Sequence, residues 1–189
     1  MQIGAGGDSG ALSASSALTN NATLVFNRSN SVVQGVDFAS SIGGSGALQQ
    51  VGTGTLVLSG ANTYTGPTVI ESGVLQLGNG GLTGALSTSS AITDNAVLAF
   101  KRSNSVTQGT DFAATIDGTG EVQQIGSGTL VLGGSNTYTG GTKLSAGRLN
   151  VNNAGALGTG LFTISGGSLD NTSGSAIALS FDNAQSWAA

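Results

Sequence analysis

Two arginine–aspartate couples, Arg28 with Asp37 and Arg102 with Asp111, share one spacing in this chain of 189 residues. An arginine beside a carboxylate is the kind of pair that polysaccharide lyases use on acidic sugars, but such acid–base work needs several carboxylates converging on one cleft. The nine acidic residues are instead scattered along the sequence, so the couples read as surface or turn ion pairs. Asn62 with Tyr64 and Asn136 with Tyr138 form a second repeated set. An amide and a phenol two residues apart can bind a sugar. In a Gly-rich strand protein, however, Asn more often takes a positive-φ turn position or joins an amide ladder, so the structural role is preferred.

Most other chemistry is excluded by composition. The chain has no histidine and no cysteine, which removes imidazole bases, Ser-His-Asp triads, thiolate nucleophiles, disulfides and zinc sites built on nitrogen or sulfur. Gly43-Gly44-Ser45-Gly46-Ala47-Leu48 departs from the calcium-binding β-roll nonapeptide, because Leu48 stands where the ligand Asp belongs. Gly4-Ala5-Gly6-Gly7-Asp8-Ser9 lacks the last glycine of a dinucleotide loop, and Lys143 follows no Walker spacing. No catalytic, cofactor-binding or metal-ligating residue is therefore assigned, no cofactor is expected, and the chain does not read as an enzyme. The cations are Arg28, Lys101, Arg102, Lys143 and Arg148 against a net charge of −4, a poor basis for binding nucleic acid or anionic membrane. Gly, Ser, Thr and Asn interrupt every apolar run well short of the roughly 20 residues that span a bilayer, so no membrane insertion by this segment is expected.

The elements that position these residues follow from an internal repeat. Residues 4–79 laid on 78–153 agree without a gap at 46 of 76 positions, a period of 74 residues. Arg28-Ser29-Asn30-Ser31-Val32 returns as Arg102-Ser103-Asn104-Ser105-Val106, and Asn62-Thr63-Tyr64-Thr65-Gly66 as Asn136-Thr137-Tyr138-Thr139-Gly140. The chain divides into one copy at 4–77, a second at 78–151 and a shortened partial copy at 152–189, all within a single fold. Inside each copy apolar residues alternate over short stretches, as at Leu24 and Phe26, Leu56 and Leu58, and Leu75 and Leu77, which is the period of a strand. Glycine accounts for 33 residues and charged residues for 7%, leaving turns but little helix-forming sequence between the strands.

This pattern predicts an all-β chain folded as a parallel β-helix, or β-solenoid. Three coils per copy, each of roughly 25 residues, give about seven coils in all. Neutral polar side chains suit it, because equivalent residues of successive coils lie about 4.8 Å apart, where like charges repel. In this reading Leu, Val, Ile and Phe point inward, and Ser, Thr, Asn and Gln outward. The two ends present unpaired backbone, a template for end-to-end self-association unless the residues around Trp187 fold over as a cap.

The segment from Gly52 to Gly78, with its Gly52-Thr53-Gly54-Thr55-Leu56-Val57-Leu58 strand, its Asn62-Thr63-Tyr64-Thr65-Gly66 turn and its Gly73-Val74-Leu75 strand, resembles the autotransporter-associated β-strand repeat, or passenger-associated transport repeat. The pattern returns from Gly126 to Asn152, with Gly141 in place of Pro67. The resemblance implies a right-handed parallel β-helix from the passenger of a bacterial type V secreted protein, exported through the periplasm and outer membrane to the cell surface. It implies as partner a C-terminal translocator barrel in a longer parent, and a role in passenger transport and folding outside the cell. The N-terminus lacks a basic segment and an apolar core of signal-peptide type, so the chain reads as a piece of that parent. Two functions follow: a stalk that aids export and displays an adhesive or effector tip, or a flat β-helix face that binds host or matrix glycans, proteins or neighbouring copies.

Overall fold

The computed structural model describes residues 1–113 and 115–187. Its strands are two to four residues long, and inward positions alternate with outward ones. In β3 (Thr23–Phe26), for example, Leu24 and Phe26 are each 1% exposed while Thr23 and Val25 are partly exposed. Such strands are too short to hold together alone. Each is stabilised by parallel pairing with the turn before and the turn after, so the chain winds as a parallel β-solenoid around one apolar core.

Numbered β1 to β20 along the chain, the strands fall on three faces. The first face stacks β1 (Gln2–Ile3), β3, β6 (Ala47–Gln50), β8 (Thr68–Ile70), β10 (Ile92–Asp94) and β13 (Ile116–Asp117). The second stacks β4 (Val32–Val33), β7 (Thr55–Leu58), β9 (Val74–Leu77), β11 (Val97–Phe100), β14 (Glu121–Gln124), β16 (Gly141–Leu144), β18 (Phe162–Ile164) and β20 (Gln185–Trp187). The third holds β2 (Leu18–Thr19) on β5 (Ile42–Gly43), and further along β12 (Ser105–Thr107), β15 (Thr129–Leu132), β17 (Arg148–Val151) and β19 (Ser168–Asp170). Between its two parts the third face is carried by backbone without regular strands. Thr63 N donates to Ile42 O at 2.8 Å, Thr65 N to Gly44 O at 3.0 Å, and Ala61 bridges to Ala85.

The register reveals how the sequence repeat maps onto the turns. On the first face Leu24 pairs with Leu48, Leu48 with Thr68, and Thr68 with Ile92. Three turns from Leu24 thus end at Ile92, whereas the repeat partner of Leu24 is Leu98, in β11 on the second face. A copy of the repeat therefore makes three turns and one further face. That extra third of a turn raises the solenoid to about eight turns, the number of rungs on the second face, close to the seven expected from three coils per copy. It also rotates every repeated residue by one face: β3, β6 and β8 of the first copy lie on the first face, and their counterparts β11, β14 and β16 on the second.

Trp187 does not cap the end. It pairs in β20 with Ile164 of β18, extending the ladder by one rung, and it is 69% exposed. The expected division into inward apolar and outward polar residues also needs correction. Gln34, Gln50, Gln124, Asn62, Asn136, Thr68 and Thr142 are all buried.

One corner explains the Gly-x-Gly of the repeat. The backbone of Gly52 and Gly54 lies directly on that of Arg28 to Asn30 in the turn before. A Cβ on Gly54 would meet Asn30 O at 2.0 Å, and one on Gly52 would meet Arg28 O at 2.2 Å. From inside, the Gln50 amide donates to Gly52 O at 2.9 Å and Gly54 O at 3.1 Å. From the next turn Gly73, at φ +66°, closes over the same two carbonyls. Gln124, Gly126, Gly128 and Gly147 rebuild this corner in the second copy. Replacing Gly73 with Ala adds both a strained φ and a backbone overlap, so thermal denaturation should show a loss of about 2 kcal/mol or more. Gly81→Ala, where nothing lies within 4 Å, should stay within about 0.5 kcal/mol of the parent.

Candidate functional site

Of the residues singled out as chemically capable, the arginines, asparagines and tyrosines are buried in the solenoid, while Asp37 and Asp111 are partly exposed. Arg28 and Asp37 do not pair. The Arg102 guanidinium donates from Nη1 to Gly84 O at 3.1 Å, from Nη2 to Leu82 O at 2.6 Å and from Nε to Asn104 Oδ1 at 3.0 Å. Arg28 does the same with the carbonyls of Gly10 and Asp8 and with Asn30 Oδ1. Each guanidinium thus gathers carbonyls from the long connection of the preceding turn, with its own Asn two residues on as the third acceptor. Asp37 Oδ2 accepts from Val33 N at 2.7 Å, and Asp111 Oδ2 from Thr107 N at 2.7 Å. These carboxylates close a tight loop that sends Phe38 and Phe112 inward, where their rings lie 4.9 Å from Phe26 and 5.0 Å from Phe100. The expected Arg–Asp ion pairs are replaced by two separate backbone clasps, with two backbone carbonyls and a side-chain amide engaging all three guanidinium nitrogens.

Asn62 takes neither a positive φ nor a place in a ladder of its own kind. It pairs reciprocally with Gln34: Gln34 Nε2 donates to Asn62 Oδ1 at 2.6 Å, and Asn62 Nδ2 donates to Gln34 Oε1 at 3.1 Å. The remaining capacity of both amides goes to the backbone. Ile42 N donates to Asn62 Oδ1, Asn62 Nδ2 donates to Ala85 O, and Gly60 N donates to Gln34 Oε1. Gln108 and Asn136 repeat the arrangement at 2.6 and 3.3 Å, with Ile116 N, Ala156 O and Gly134 N as the backbone partners. One amide pair therefore joins three successive turns. Its glutamine was missed in the sequence, although the signal was there: a Gln stands 28 residues before the Asn in both copies.

The tyrosines are fully buried, and burial pushes both phenols up from their ordinary pKa. Tyr64 OH bonds Thr68 Oγ1 at 2.6 Å, Thr68 Oγ1 bonds Ser90 Oγ at 2.8 Å, and Ser90 Oγ donates to Gly66 O. Tyr138 pairs with Thr142 at 2.6 Å in the same way. A phenol held like this offers nothing to a ligand outside. Among the described residues no three acidic side chains gather into a cation site, and the ion pair present, Arg148 with Asp170 at 3.1 Å, is half exposed. A cavity of about 350 Å³ opens at the C-terminal end between Val151, Leu157, Phe162, Leu169 and Leu179.

Comparison with known proteins matches the same segments. Residues 48–77 and 122–151 each fit the family described as passenger-associated-transport-repeat. These segments run from the Gln50 corner to the end of β9, and from the Gln124 corner to the end of β17. Over 75 residues the chain is 44% identical to the adhesin BmaC autotransporter of Brucella suis biovar 1 (strain 1330), a stretch that covers 38% of this chain and 2% of that protein. No solved structure matches the chain.

Removing either member of an amide pair leaves the other buried and unsatisfied, at a cost of about 1–3 kcal/mol per orphaned group. Gln34→Ala and Asn62→Ala should therefore each destabilise the chain by about 3 kcal/mol in urea unfolding. The double variant should fall short of their sum by at least about 1 kcal/mol, since the second change removes a partner already lost.

Proposed function

Starting from the two passenger-associated transport repeats, we propose that this segment is a non-enzymatic stalk of an autotransporter passenger. It promotes passage across the outer membrane and folding outside the cell, and it holds an adhesive or effector tip away from the bacterial surface. Its partner in the parent protein is the C-terminal translocator barrel.

The observation that carries this reading is the destination of the repeated polar groups. Arg28, Gln34, Gln50, Asn62, Tyr64 and their second-copy counterparts all bond within the solenoid, the arginines and the Gln–Asn pairs joining one turn to the next and Gln50 and Gln124 bracing a corner of their own turn. Polar residues kept in both copies for internal stitching are what a rod needs. Nearest-neighbour stacking also suits a chain that emerges progressively and folds as it emerges, because a new turn needs only the turn before it to pair with.

A second reading, an adhesive or self-associating β-helix face for glycans, proteins or neighbouring copies, is favoured by the name adhesin carried by the Brucella relative. The rotation of the repeat weighs against it. Equivalent outward residues of successive copies lie on different faces and do not line up into one recognition strip.

The register supplies a test of the transport role in the parent protein. Thr55 pairs with Val74, so deleting residues 55–73 removes one turn, including most of a transport repeat, while Val74 inherits the place of Thr55. Leu24 pairs with Leu48, so deleting 24–47 removes one turn outside the matched segments. Surface display should fall several-fold more with the first deletion than with the second, and equal display would refute a specific transport role. The 189-residue chain should be blank on a glycan array, whereas saturable glycan binding would favour the adhesive reading.

A further inference from the structure

Asp94 is wholly buried, and its Oδ2 has no hydrogen-bond partner. Its counterpart in the first copy shows what the position requires. Asn20 donates from Nδ2 to Ala47 O at 2.8 Å and accepts at Oδ1 from Ala22 N at 3.3 Å. The backbone frame around Asp94 is the same. Gly46 N donates to Asn20 O at 2.8 Å and Gly120 N to Asp94 O at 2.7 Å; Ala47 N donates to Ala22 O at 2.7 Å and Glu121 N to Ala96 O at 2.9 Å. Asp94 Oδ1 keeps the acceptor role, taking Ala96 N at 3.1 Å. Oδ2 therefore stands where Asn20 carries its NH₂, and the group opposite it, the carbonyl of Glu121, is an acceptor. A carboxylate there would set two acceptors against each other in a buried site.

We propose that Asp94 is carried in the folded solenoid as the neutral carboxylic acid, its Oδ2–H donating to the Glu121 carbonyl oxygen, and that this rung makes the solenoid firmer in acid and looser at neutral pH. The surroundings agree with a proton held there. On β8, Ile70 pairs with Asp94 and Glu71 follows it; on β13, Asp117 pairs with Thr93; Glu121 opens β14; and Tyr138 comes from the turn beyond. These titratable neighbours are acids and a phenol, and among the described residues no cation pairs with Asp94. Burial, outweighing the backbone amides of Ala96 and Leu98 that favour the carboxylate and helped by a small push from Glu121, raises its pKa from 3.8 to about 7. A raised pKa in the folded state means that the native chain holds its proton after the unfolded chain has lost it. The contribution of Asp94 is accordingly full below pH 3.8, declines as the pH rises, and is gone above about pH 7.

The test is urea unfolding of the 189-residue chain between pH 4 and pH 8, comparing the parent with Asp94→Asn, in which the amide supplies the donor at every pH. The parent's folded-to-unfolded ratio should fall between these limits by at least about a hundredfold more than that of the variant, because the ratio loses about a factor of ten for each pH step between the unfolded and folded pKa values. Equal pH profiles would overturn the proposal. If Asp94→Asn does not fold, two further measurements decide. Asn20→Asp should install a new loss of stability on raising the pH, and the carboxyl carbons of ¹³C-labelled parent should include one Asp titrating near 7. A flat Asn20→Asp profile, or Asp carboxyls that all titrate near 4, would overturn it as well.

Discussion

Everything in this molecule depends on stacking one turn of backbone on the next at the spacing of a parallel ladder. Strands of two to four residues have no stability of their own, so a turn exists only because its neighbours accept and supply its hydrogen bonds. The constraint is most severe at the corners, where the chain bends and side chains would enter the gap between turns. At the Gln50 corner, backbone from three turns approaches until no Cβ fits, and glycine is required on the upper two. The same spacing accounts for the low charge. In the paired registers Lys143 lies between Gln123 and Thr163, Glu121 between Val97 and Gly141, and Arg148 between Thr129 and Ser168. Each charge has neutral neighbours above and below, as the spacing demands.

The interior is not purely apolar, and its polar residues follow a common logic. A narrow solenoid has corners where backbone carbonyls and amides point inward with no strand partner, and leaving them unsatisfied would be costly. Gln50 and Gln124 chelate such carbonyls, and the Gln34–Asn62 pair serves several groups at once. Arg28 and Arg102 do this on a larger scale, their forked donors drawing in a whole connecting segment. Neutral amides do most of the stitching because they offer donor and acceptor together. At position 94 of the second copy the amide has been exchanged for an acid, whose Oδ2 is left without a hydrogen-bond partner.

Much of this was legible before the structure. The 74-residue period announced a solenoid, and the alternation at Leu24 and Phe26 or Leu56 and Leu58 named inward side chains, all of which are buried. The Gly-x-Gly and Asn-Thr-Tyr-Thr-Gly patterns marked the transport repeat. What was not legible depends on which residues of different turns come together. The nearness of Arg28 and Asp37 in sequence suggested a pair, but in a solenoid the next residue in space is about twenty away in the chain, and Arg28 reaches back to Gly10 and Asp8. Gln34 was overlooked for the same reason. The outward placing of Gln and Asn failed because polarity was read as exposure, whereas inward-pointing corner carbonyls require inward-pointing amides.

The extra third of a turn in each copy has a consequence for how such a protein can grow. The two copies here resemble one another closely enough to have come from duplication, and a duplicated unit must join its neighbour without breaking the ladder. A unit of whole turns would lay identical side chains in columns straight along the axis. A unit that ends one face further on behaves like a screw thread, in which matching loops wind around the shaft and return to the same bearing only after three copies. Lengthening the gene by whole units therefore extends the shaft and turns its far end by a fixed angle. The number of copies sets the direction in which whatever lies beyond is aimed, as well as its distance.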